Sequence, residues 1–132
     1  MPVLPDRVFR GYRAGDVLTE QGQTRLKSSV FRSTHGVSVY DGARCSSEVA
    51  LQSLQRAGPA WGLLTVTKAQ LAEHGVALVP EVDGTDADDP ARDAHCVLTL
   101  PNKSASARLA ACAVVHAHAL NAPFLPGEIP AQ

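Results

Sequence analysis

The run from Gly62 to Pro80, GLLTVTKAQLAEHGVALVP, constrains the fold more than any other part of the chain. GLLTV has the length and unbroken apolar character of a buried strand. Thr67 followed three residues later by Gln70 has the form of a capping box, so a two-turn helix over Lys68 to His74 is predicted, ending at Gly75. VALV, Val76 to Val79, is β-branched at both ends and closed by Pro80, which suits a second strand. Strand, helix and strand in immediate succession require a sheet with a helix packed on it.

The stretch Ser33 to Arg44, STHGVSVYDGAR, has the strongest period-2 alternation. Val37 and Val39 point one way on such a strand, Ser38 and Tyr40 the other. Asp41-Gly42 supplies the turn after it. A helix capped by Ser46 or Ser47 should follow, with Glu48 in its first turn and Ala50, Leu51, Leu54 and Ala57 on one face, stopped at Gly58-Pro59.

Elsewhere the signals are shorter. Val8, Phe9 and Arg10 form a predicted strand ending at Gly11, and Asp16 to Lys27 reads as loop and short helical turns. Val30 and Phe31 lead into the strand that holds Val37. HCVLTL, His95 to Leu100, is a further strand, ended by Pro101. Alanine-rich SASARLAACAVVHAHA predicts a helix from Ser104 to about Ala119, burying Leu109, Cys112 and Val115 or His116. The expected architecture is α+β, a small mixed sheet of four or five strands with two or three helices on one face. One domain over 1–120 and an irregular tail over 121–132 complete it.

Composition restricts the function classes. The 132 residues suffice for one core, and 45% apolar with 19% charged residues is ordinary for a soluble globular chain. A net charge of -1 gives no basic excess for nucleic acid. The first 44 residues carry seven Arg/Lys against four acids, and the remainder five against nine, so a basic face fits an anionic ligand or an acidic partner. Glu81 to Asp93 reads as a solvated acidic loop. No apolar run reaches the roughly 20 residues of a membrane span. The three cysteines, Cys45, Cys96 and Cys112, suit reduced thiols, so a cytoplasmic location is expected.

No complete chemical motif occurs. His35, Cys45, His74, His95, Cys96, His116 and His118 include no C-x-x-C or H-x-x-x-H pair, so no metal is expected. DGTDADD departs from the EF-hand pattern, and neither G-x-G-x-x-G nor a P-loop is present. Cys45 precedes a predicted helix, where a dipole favours a thiolate. The remaining polar residues at strand ends and on strand faces are Arg10, Ser33, Thr34, His35, Ser38, Tyr40 and His95, taken together as the candidate ligand-binding set.

Two resemblances follow from these residues. Arg10 on an early strand, then Ser33-Thr34 and Ser38 on a second, resembles the ADP-ribosyltransferase fold. That likeness implies an NAD cofactor, with Arg10 on its phosphate or ribose, Ser33 or Ser38 on the nicotinamide ribose and Tyr40 stacked on the nicotinamide. The family's late-strand Glu has no counterpart here. Over roughly Val8 to Ala110, the succession VFR, SVY, WGLLTVTKAQL and AHCVL is similar to small uncharacterised bacterial proteins from multi-gene clusters. It implies an accessory role with a protein partner or a small anionic ligand, and the alanine-rich final helix leaves a homodimer open.

Overall fold

The computed structural model describes residues 4–32, 36–56, 62–81 and 87–117. Eight strands form: β1 (Arg7–Tyr12), β2 (Val17–Glu20), β3 (Gln23–Leu26), β4 (Val37–Asp41), β5 (Gly62–Thr67), β6 (Ala77–Pro80), β7 (His95–Thr99) and β8 (Val114–Ala117). The helices are α1 (Ser47–Gln55), α2 (Lys68–Glu73) and α3 (Lys103–Cys112), with 3-10 turns at Ala14–Asp16, Ser28–Phe31 and Arg92–Ala94. The class is α+β. The main sheet has six strands in the order β6-β7-β4-β1-β5-β8, every neighbouring pair antiparallel, and β2-β3 is a separate hairpin. The sheet is therefore larger than the expected four or five strands, and it is antiparallel rather than mixed.

Local chemistry explains the well-formed segments. Thr67 accepts from the Gln70 amide and Gln70 Oε1 accepts from the Thr67 amide, so the capping box is complete at the start of α2. Gly75, at φ 70°, takes the left-handed position that releases the chain into β6. Ser46 caps α1 by accepting from the Val49 amide, and Asn102 caps α3 through Ala105. β5 is buried along almost its whole length because it lies between β1 and β8 and is covered on both faces.

The helices divide between the two faces of the sheet, not one. Val8, Val39, Leu64, Val66, Cys96 and Leu98 point towards Leu71 of α2 and Leu109 and Ala110 of α3 in the larger core. Phe9 and Leu63 point the opposite way, into a smaller core with Ala50 of α1, Cys45, Ala91 and Ala94. Alternation along β1 makes both layers from one strand.

Three expected elements differ. Val17–Glu20 and Gln23–Leu26 pair as a hairpin where loop was expected, turning through Gln21 and Gly22 at φ 51° and 78°. Both central residues then have the positive φ of a tight hairpin turn. Val30 and Phe31 lie in a 3-10 turn, not at the start of a strand. The last helix ends at Cys112, after which Val114–Ala117 pairs with β5, so His116 is on a strand. Helix propensity in the alanines gives way there to the β-branched pair Val114-Val115 docking on an open sheet edge. His118, the expected tail over 121–132 and the stop at Gly58-Pro59 lie outside the described residues. Among the described residues, no helix is long and apolar enough to cross a membrane.

Candidate functional site

Arg10 joins three segments of the chain. On β1 it shares a face with Val8 and Tyr12, so its side chain leaves the sheet on the α2/α3 face. The β1-β4 ladder covers only Val8↔Asp41 and Phe9↔Tyr40. Beyond it, Arg10 donates from Nη1 to the Ser38 carbonyl at 2.9 Å and from Nε to the Val30 carbonyl at 3.0 Å. One guanidinium thus ties β4 and the turn Ser28–Phe31 to β1. Burial pulls its pKa down from the ordinary value, and Asp16 and Tyr40 oppose that shift.

Arg10 does not share a surface with the other described candidates. Ser38, Tyr40 and His95 project from the opposite face, where Ser38 pairs with Val97 and Tyr40 with His95. Ser38 is exposed there. The Tyr40 and His95 rings lie 6.0 Å apart at 60°, and the His95 Nδ1–H donates to the Glu81 carbonyl at 2.8 Å. Ser33, Thr34 and His35 lie outside the described residues. The seven residues expected to converge on one hollow are therefore divided by the sheet.

A polar chain does form behind Tyr40, through residues the sequence had not singled out. Ser53, on the buried face of α1, donates to Asp89 Oδ1 at 2.5 Å and lies 2.8 Å from the Tyr40 hydroxyl. A serine has one hydroxyl hydrogen, so Tyr40 is the donor to Ser53. The same Asp89 oxygen accepts from the Ala91 amide at 2.9 Å and has Arg56 Nη1 at 3.9 Å. Asp89 is thus an exception to the solvated acidic loop, its side chain only 9% exposed. Burial pushes the Tyr40 phenol up, more than Ser53 lowers it, so it stays a neutral donor. The chain fastens α1 and the 87–94 segment to the sheet.

Cys45 belongs to this layer and is not an activated thiol. Burial, then Asp41 and Asp89, push it up to about 11, which outweighs the pull of a helix N-terminus towards the thiolate. Cys96 and Cys112 are also pushed up, by burial first. Among the described residues, no group of three His, Cys, Asp or Glu side chains is placed to hold a metal ion.

A concave feature lies at the other end of β4 and β7. A hollow of about 960 Å³ opens between the turn Ser28–Phe31, the start of β4, the end of β7 and the start of α3. Half-buried Val97 and Leu100 give it an apolar floor, with buried Phe31, Val37 and Leu98 packed beneath them. Arg32 and Lys103, both exposed, stand at its rim, and no carboxylate is among the described residues that line it. Gly36 is required at its edge, since at φ 90° a Cβ there would lie 2.5 Å from Val97 Cγ1.

Two side chains fix the walls of this hollow. Ser106 of α3, 2% exposed, donates to the Phe31 carbonyl at 3.1 Å, and Arg10 holds the neighbouring Val30 carbonyl. Arg10 is therefore a positioning residue behind the wall. Its expected partners Ser33 to His35 sit in sequence between the lining residues Arg32 and Gly36. Asn102-Lys103 was not singled out from the sequence, although a capping residue followed by a cation after Pro101 is a helix-start signal. Comparison of the chain with protein-family models, with curated proteins and with solved structures finds no match.

Proposed function

We propose that this protein is a small binding module that holds an anionic ligand in the hollow between the Ser28–Phe31 turn and α3. The observation that carries the reading is a cationic rim, Arg32 and Lys103, unopposed by any carboxylate among the described lining residues and set over an apolar floor. Such a site attracts negative charge. Its volume of about 960 Å³ lies at the upper end of the range of small-molecule pockets, roughly 300–1,000 Å³. The NAD-directed alternative needs Arg10, Ser38 and Tyr40 on one surface. Arg10 lies across the sheet from the other two, and no observation favours that reading.

Thermal denaturation at constant ionic strength tests the proposal with a panel of millimolar organic anions, their amides and organic amines. A ligand at about 100 times its Kd adds about 2.7 kcal/mol to stability, a shift easily read. Anions should raise Tm, amides and amines should not, and the rise should vanish in Arg32→Gln/Lys103→Gln. If no anion raises Tm, or the double variant responds as the wild type does, the reading is wrong.

A further inference from the structure

We infer that the ligand is an amphiphile, an aliphatic chain ending in a single carboxylate. This rests on the anion-binding reading above and goes beyond it by assigning the body of the ligand as well as its charge. Three of the polar side chains at the hollow are bonded within the protein. The Ser106 hydroxyl is given to the Phe31 carbonyl, Asn102 Oδ1 to the Ala105 amide, and Arg32 Nη2 reaches Ser28 Oγ at 3.1 Å. A sugar or a nucleobase needs several donors and acceptors from its site and would leave its own polar groups unpaired on this floor. A hydrocarbon chain loses nothing there.

The apolar floor has the matching chemistry. Val97 and Leu100 form it, with Phe31, Val37 and Leu98 beneath, from three different segments of the chain. Both cations flank the Ser106–Phe31 bond, since Arg32 directly follows Phe31 and Lys103 lies one helical turn before Ser106 on α3. A molecule that satisfies both parts carries its anion at one end and its methylenes along the floor. Arg32 and Lys103 are exposed, so replacing them leaves the core intact.

Isothermal titration of the full chain with the straight-chain carboxylates from butanoate to decanoate, below micelle-forming concentration, tests this. Affinity should rise by about two- to fourfold per added methylene until the floor is filled, as burial of apolar surface requires. Arg32→Gln/Lys103→Gln should weaken octanoate about tenfold, the change expected for loss of roughly one good charge contact, and leave 1-octanol unchanged. A flat series, with inorganic phosphate or acetate binding as well as octanoate, overturns the amphiphile and leaves the anion reading standing. Equal binding of octanoate and 1-octanol to the wild type overturns both, as does no binding by any probe.

Discussion

Arg10→Met removes the guanidinium but keeps an unbranched stem of similar length, so it isolates the two hydrogen bonds from the packing of the side chain. A bond from a charged donor contributes about 1.5–3 kcal/mol when buried, and a stranded buried carbonyl about 1–3 kcal/mol. The Val30 carbonyl belongs to a residue only 2% exposed and keeps most of that penalty, whereas the bond to Ser38 is open to solvent and is worth less. The expected loss is about 2–3 kcal/mol, or a fall in Tm of roughly 6–15 °C for a chain of this size. Urea denaturation gives the first number and a thermal melt the second. Arg10→Lys should recover less than half, because one ammonium cannot hold both carbonyls in the same fork. The second consequence is functional: with the turn released, anion affinity should fall in the fraction that remains folded. A urea midpoint within error of the wild type would refute the clamp. Normal affinity in a destabilised variant would refute its role behind the hollow.

Other perturbations have equally definite outcomes. Gly36→Ala should cost about 1–3 kcal/mol for a side chain at positive φ, and adding Val97→Ala should return only the part due to the contact with Val97 Cγ1, as read by urea denaturation of both variants. Ser53→Ala should cost about 1.5–3 kcal/mol by stranding Asp89 and the Tyr40 hydroxyl, and a cycle with Tyr40→Phe should show the two effects to be strongly non-additive. Cys45 should resist alkylation at neutral pH while the folded state persists. Its folded pKa lies above the unfolded value, so the stability it contributes is complete below about 9 and is lost as pH rises to about 11, a decline that Cys45→Ala should flatten.

The parts of the fold legible in sequence are those whose cause is local. The capping box at Thr67, the Gly75 stop and the valine alternation through Val39 each carry their own geometry, and each occurs where expected. The β2-β3 hairpin was hidden because its turn is Gln21-Gly22, without the Asn-Gly or Asp-Gly signature, although both residues take positive φ. β8 was hidden by alanines that favour helix, overridden by pairing with a distant strand. Asp89 resembles its solvated neighbours in composition. Only its place before Pro90, in a turn, distinguishes it, and its partner Ser53 lies 36 residues away. The hollow is the least legible feature, since the bond that joins its walls links Phe31 to Ser106, 75 residues apart.

A heteronuclear NMR titration of labelled protein with decanoate locates the ligand without any assumption about affinity. The account predicts that amide shifts concentrate on Gly36, Val37, Val97, Thr99 and Lys103, around the hollow. Shifts gathered instead around Tyr40, Ser53 and His95, or spread over the surface without a centre, would contradict it.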